Sequence, residues 1–423
     1  MIRLKETFLV LLILLFSISC SSNPAKYSIS AEIPDDFLGF VHAGDSIDDY
    51  QLLNELGSVW LLQTFYWSRI ERTQGEFNFS WYDNFINTAK ENNKKVIAVM
   101  AYSTSWTGDK DRHISKDNIS HFLNFLETTV NRYKGLVDAW QIWNEPNHVF
   151  WKGTDKEFFE LSKLSAQRIR ETDPDAYIIG GGILRTPKCF IKGMQKAGAL
   201  ENLDAISIHP YALNPFWSMR HYESFINLMA DINFTGEVWI TEIGFPTGGL
   251  YPTRVSMQNL PSYVVKTIVG SAVRGARTLS WYQFSDSYNE GGYPDKNNSE
   301  DYFGLTYSNR TKKNGAWAYE LCARYLPGSQ YLKELPIREK IPSGIVSFYF
   351  VNSKTGNNTL IIWNDINARR NIKLTVETNF TIHNIATGEN SILQDGAVIE
   401  ISSTPVFITW EGQAAPRISR ARK

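Results

Sequence analysis

The chain has 423 residues, with 43 basic against 44 acidic side chains, and is 43% apolar and 13% aromatic. A net charge of -1 excludes a generic nucleic-acid binder as first reading, and the apolar share excludes wholesale disorder. The aromatic surplus (13 Trp, 20 Tyr, 24 Phe) suits a core plus a groove that stacks flat rings, sugars among them.

At the N-terminus Arg3 and Lys5 precede an apolar run from Phe8 to Phe16, too short to span a bilayer but the size of a signal-peptide core. Phe16-Ser17-Ile18-Ser19-Cys20 resembles a bacterial lipoprotein cleavage box, with Ser17 where Leu is usual. That resemblance implies a signal peptide over 1–19, Cys20 as the lipidated first residue of an exported chain, and a tether over 20–35. Contact with a membrane would then be through the lipid anchor alone. The alternative is an ordinary secretory signal with an incidental Cys.

Eight apolar runs follow, at Phe37–His42, Ser58–Thr64, Lys95–Ala101, Ala139–Trp143, Tyr177–Gly181, Ala205–His209, Glu237–Thr241 and Thr278–Phe284. Helical patterns separate them. Thr154-Asp155-Lys156-Glu157 is a capping box, Ser80 starts a second amphipathic segment, and Gly135 ends a third. Uniformly apolar strands alternating with helices predict a parallel sheet covered on its faces, and a count of eight predicts a closed (β/α)8 TIM barrel, α/β in class, over 36–335. Gly180-Gly181-Gly182 lacks the spacing of a dinucleotide-binding turn. From about Tyr331 the pattern is strand-like only, between breaks at Pro336 and Pro342, which predicts a small all-β, sandwich-like domain over 336–412. Residues 413–423 read as a solvated basic tail.

In such a barrel, functional groups gather where strands run into their following loops. Glu145 follows the fourth strand in Trp143-Asn144-Glu145-Pro146, and Glu242 follows the seventh in Ile240-Thr241-Glu242-Ile243-Gly244. A carboxylate directly after an apolar strand is costly unless it has partners or work to do. Two at one barrel mouth are what glycosidic bond cleavage requires. No Cys/His cluster with ligand spacing exists, so no metal or cofactor is expected.

These segments resemble the clan A glycoside hydrolases, of the family 39 or family 5 type, over roughly residues 36–335; Trp67-Ser68-Arg69-Ile70-Glu71 leading to Gly75-Glu76-Phe77 is similar to their second β/α unit. The resemblance implies Glu145 as general acid/base and Glu242 as nucleophile. It further implies Asn144 on the sugar 2-hydroxyl, Tyr211 donating to the nucleophile, His209 as its companion and Trp281 as the aromatic floor under the reacting sugar. One position departs: where the clan usually has an arginine in strand two, Leu62 stands, with Gln63 or Arg69 as substitutes. Around the rim, His42, Trp106, Trp151 and Trp217 are candidate sugar contacts, and Ser285–Asp301, centred on Gly291-Gly292, is a candidate flap. The expected activity is retaining hydrolysis of a β-linked oligo- or polysaccharide through a covalent glycosyl-enzyme. A non-catalytic surface glycan-binding protein and a transglycosylase are the alternatives.

Overall fold

The computed structural model describes residues 32–250, 254–287, 294–332, 344–366, 368–412 and 414–421. The expected signal segment and Cys20 lie outside the described residues, as do Pro336, Pro342 and Gly291-Gly292. Among the described residues no helix is long and apolar enough to cross a membrane.

Eight parallel strands close a barrel: β1 (Leu38–Val41), β2 (Trp60–Tyr66), β3 (Lys95–Ala101), β4 (Ala139–Asn144), β5 (Ile178–Leu184), β6 (Ala205–His209), β7 (Glu237–Ile243) and β8 (Leu279–Trp281). Each is bonded to its chain neighbours, and β8 pairs back on β1 through Leu38↔Leu279 and Phe40↔Trp281. Eight helices alternate with them: α1 (Ile47–Glu55), α2 (Ser80–Glu91), α3 (Ile119–Tyr133), α4 (Asp155–Thr172), α5 (Lys188–Lys196), α6 (Pro215–Asp231), α7 (Leu260–Ala272) and α8 (Asn314–Tyr325). The expected TIM barrel is therefore present.

Local chemistry sets the helix ends. Thr154 accepts from the Glu157 N–H while Glu157 accepts from the Thr154 N–H at 2.7 Å, the capping box that starts α4. Such a cap contributes about 1 kcal/mol. Ser80, by contrast, is the first residue of α2 and caps nothing; Asn78 Oδ1 accepts its N–H instead, at 3.0 Å. The barrel interior is filled by Val41, Trp60, Leu62, Ile97, Val99, Ala139, Ile179, Ala205 and Trp239, with Trp60 and Trp239 meeting edge-on at 5.1 Å. Residues of opposite parity on the strands, such as Leu61, Phe65, Ile142 and Ile208, pack outward against the helices.

The expected all-β domain is present as two antiparallel sheets. Six strands run in the order β9 (Gln330–Leu332), β10 (Ile345–Asn352), β11 (Asn357–Asn364), β16 (Val406–Glu411), β13 (Phe380–His383), β14 (Asn390–Leu393). Three more run in the order β15 (Val398–Ile401), β12 (Arg370–Thr375), β17 (Arg417–Arg420). Tyr349, Leu360, Ile372, Leu374, Ile399, Ile408 and Ile418 form the core between them, while Phe350, Ile361 and Phe407 join the barrel's core.

Three boundary readings need correction. The solvated tail is a strand: Arg417–Arg420 pairs with β12 and buries Ile418. Gln330–Leu332, assigned to the barrel, belongs to the six-stranded sheet. Glu32, assigned to the tether, bridges Gln330, so the fold starts before residue 36.

Candidate active site

The C-terminal ends of the barrel strands carry His42, Trp143, Glu145 and Arg185, four of nine described non-glycine residues with positive φ (51°, 69°, 43° and 59°). Such backbone is uncommon and concentrates at functional sites, where surrounding structure holds it. Glu145, just beyond β4, is fixed by its N–H donating to the Gly182 carbonyl at 2.9 Å. Glu242 is the penultimate residue of β7, and His209 ends β6. His209 Nδ1 lies 2.9 Å from Glu145 Oε1 and 3.9 Å from Glu242 Oε2, while its Nε2 lies 3.1 Å from Thr241 Oγ1. The Tyr211 hydroxyl donates to Glu242 Oε1 at 2.9 Å.

Gly182 makes room for this arrangement. A Cβ there would stand 2.2 Å from His209 Nε2, so the third glycine of Gly180-Gly181-Gly182 serves the imidazole and no nucleotide.

An oxygen of each carboxyl group and a ring nitrogen of His209 lie within 4.8 Å of one another. Carboxyl groups about 5–5.5 Å apart suit direct attack on an anomeric carbon, whereas about 6.5–9.5 Å leaves room for an intervening water. The same three residues are the described group able to share a cation. Both imidazole nitrogens, however, are already engaged by Glu145 and Thr241, so a metal would have to break one of these bonds.

Burial raises both carboxyl groups, each to about 7. Two acids this close titrate as a pair and hold about one proton between them near neutrality. After burial, Glu145 feels His148 and Arg185, which favour its ionised form. Glu242 feels His209 and the Tyr211 hydrogen bond, which favour ionisation, against Glu145 and Glu300, which oppose it. His209 is fully buried, and burial lowers its pKa against the opposing pull of Glu242.

The structure brings Glu145, Glu242, His209 and Tyr211 together, with Asn144 half-exposed beside them. His42 is half-buried at the floor, 3.4 Å from Gln63 Oε1 and edge-on to Tyr282. Trp217 lies 51% exposed at the start of α6, paired with Phe216.

Other sites differ from expectation. Trp281 is 0% exposed and packs outward with Phe245 among residues facing the helices, so it is no sugar floor. The next residue, Tyr282, packs with the interior set and lies beside His42 and Phe303, its hydroxyl donating to Glu300 at 3.2 Å. Trp151 is buried and spends its indole N–H on the Thr154 carbonyl at the head of α4. Trp106 is half-buried, its N–H on the Glu71 carbonyl and its ring against Trp67. Both are loop anchors.

Leu62 sits inside the barrel, and neither substitute replaces an arginine. Gln63 donates to Asp45 and faces His42, and the Arg69 guanidinium lies over the Tyr66 ring at 4.6 Å. Among the described residues, no arginine lies within ion-pair distance of Glu242. The sequence reading also missed Tyr282, Thr241, Arg185 and Glu300. The glycine triplet, read only as lacking a nucleotide turn, was the available signal of a close backbone approach; nothing in the sequence marked Glu300, on a short helical turn at Ser299–Tyr302.

A sequence model of glycoside hydrolase family 42, described as beta-galactosidase, matches residues 44–110. Endo-1,4-beta-xylanase 3 of Hypocrea jecorina is 26% identical over 135 residues, which is 29% of this chain and 37% of the xylanase. The chain thus matches well under half the length of that curated relative. Among solved structures, a family 39 glycoside hydrolase from the gut symbiont Bacteroides cellulosilyticus WH2 superposes with a TM-score of 0.71 at 19% identity, covering 89% of this chain and 81% of that one. A monomeric beta-xylosidase from Caulobacter crescentus CB15 gives a TM-score of 0.66 at 14% identity, covering 91% and 98%. The barrel, its C-terminal β domain and these likenesses bear out the resemblance drawn from Asn144-Glu145-Pro146 and Glu242: the chain is similar to the clan A glycoside hydrolases and has the fold of their family 39 members.

Proposed function

We propose that this protein is a retaining β-glycoside hydrolase acting on β-linked oligo- or polysaccharide. The observation that carries the reading is the pair Glu145 and Glu242, with carboxyl oxygens within 4.8 Å at one barrel mouth and sharing His209 between them. Glu242, stabilised by the Tyr211 hydroxyl, attacks the anomeric carbon while Glu145 gives its proton to the departing oxygen. The bond to the leaving oxygen breaks as the glycosyl ester to Glu242 forms. Glu145, now ionised, takes a proton from water, and that water releases the sugar with its original configuration. Asn144 contacts the sugar 2-hydroxyl, Tyr282 takes the floor position expected of Trp281, and Phe216 and Trp217 supply ring faces further out.

Aryl β-glycosides and β-linked polysaccharides, followed by reducing-sugar release and NMR of the first-formed anomer, test this. A β-product, abolished in Glu145→Gln and Glu242→Gln, is expected; an α-product refutes retention. Glycan binding without turnover would favour a non-catalytic binder, a reading for which Leu62 in place of arginine speaks. At the N-terminus, Arg3, Lys5 and the Phe8–Phe16 run support export with Cys20 as lipid anchor, checked by labelled palmitate incorporation that Cys20→Ala abolishes.

A further inference from the structure

We infer that the leaving-group side of this cleft receives a sugar bearing a carboxylate, a uronate, which Arg185 holds through its two terminal nitrogens. The inference rests on the glycosidase reading, because Glu145 marks the leaving-group side only if it protonates the departing oxygen.

Arg185 directly follows β5, in left-handed backbone with φ 59°. Its N–H donates to the His209 carbonyl at 3.0 Å and its Nε–H to the Tyr211 carbonyl at 3.1 Å. These bonds tie it to the two residues that hold the acid pair. Asn147 secures the same corner: its side chain accepts from the Leu184 N–H at 3.0 Å and donates to the Leu184 carbonyl at 2.9 Å. The stem is thereby fixed, and among the described residues no carboxylate lies within ion-pair distance of the guanidinium. A half-buried guanidinium without a counter-ion is costly, and its planar fork matches a carboxylate bidentately.

On the Glu145 side stand Arg185, whose field reaches that carboxyl, and the exposed His148, with Nδ1 3.9 Å from Glu145 Oε2. Glu300, bonded to Tyr282, lies within reach of both acids. An anionic sugar is therefore drawn to the Arg185 corner, where the leaving group sits. Leu213, Phe216 and Trp217, all exposed just after Tyr211, add apolar surface for a ring.

The test compares 4-carboxyphenyl and 4-carbamoylphenyl β-glycosides of one glycone, equal in shape and different in charge. The carboxylate-to-amide ratio of kcat/KM should fall about tenfold in Arg185→Gln relative to the unaltered protein, a double ratio in which leaving-group reactivity cancels. Arg185→Lys, which keeps charge but loses the fork, should lie between. In the unaltered protein the same ratio should fall as NaCl is raised, a measurement that needs no variant to fold. A ratio that Arg185→Gln and salt leave unmoved overturns the inference while the glycosidase reading stands. If neither glycoside is cleaved, the glycosidase reading and the leaving-group placement fail together, and calorimetry with methyl β-glucuronoside against methyl β-glucoside then decides whether Arg185 holds a uronate at all. Preferential binding of the uronate, lost in Arg185→Gln, supports it; equal binding refutes it.

Discussion

Removing the Tyr211 hydroxyl tests the division of labour between the two acids. In Tyr211→Phe the ring stays and only the 2.9 Å bond to Glu242 Oε1 is lost. A hydrogen bond to a charged group contributes about 1.5–3 kcal/mol, which is roughly one to two pKa units on the acceptor. The sign is fixed: the phenol favours the ionised form of Glu242, so its loss raises an acid that burial has already raised. The acid limb of the kcat/KM profile should move to higher pH by about one unit or more, and kcat/KM at pH 6 should fall about ten- to a hundredfold. An aryl β-glycoside assayed from pH 4 to 9, with a melt to confirm folding, reads both. An acid limb that stays put, or moves to lower pH, would mean that Tyr211 does not hold Glu242 ionised.

Gly182→Ala places a Cβ 2.2 Å from an imidazole fixed at both nitrogens; about 1–3 kcal/mol of stability and at least about tenfold in kcat/KM should be lost, by urea unfolding and kinetics. The buried pair Lys313–Asp286, 2.6 Å apart and 1% and 3% exposed, anchors the connection after β8, with Asp286 also accepting from the Gly304 N–H. Lys313→Met leaves Asp286 uncompensated and should cost about 3–5 kcal/mol, much of it recovered by adding Asp286→Leu, as melts would show. Glu145→Gln should raise stability more at pH 8 than at pH 4. With a folded pKa near 7 against an ordinary 4.5, the native state binds the extra proton in that window, and stability is lost as pH rises through it. The difference, on the order of 3 kcal/mol, is measurable by denaturation at the two pH values.

The barrel was legible where both faces of a strand are buried. Lys95–Ala101 and Ala205–His209 match end to end because a continuous apolar run has one interpretation when helices cover the outside and side chains fill the inside. Glu145 and Glu242 stood out for the same reason: each interrupts apolar sequence at a strand end. Trp281 and Tyr282 were not separable, since alternation says that neighbours face opposite ways but not which faces in. Trp106 and Trp151 looked like sugar contacts because their partners, the carbonyls of Glu71 and Thr154, come from backbone geometry that side-chain patterns do not reveal. Arg417–Arg420 was read as a tail because a single buried Ile418 among polar residues carries almost no strand signal.

The absence of an arginine at Leu62 bears on how the acid pair is tuned. Where a cation would hold the nucleophile ionised, the interior has a methyl-bearing side chain, and the nearby cation, Arg185, acts on Glu145 instead. In the free enzyme this favours ionisation of the acid that must be protonated to act. A carboxylate on the leaving sugar resolves the conflict: once it pairs with Arg185, that field is cancelled, and Glu145 keeps its proton to higher pH. The profile of kcat reports the complex, and that of kcat/KM the free enzyme. For the carboxyphenyl glycoside the alkaline limb of kcat should therefore lie roughly one unit above that for the carbamoylphenyl glycoside, while the two kcat/KM limbs coincide. Coincident limbs in both profiles would show that the charge at Arg185 does not reach the acid in the complex, and binding at Arg185 would then stand apart from catalysis.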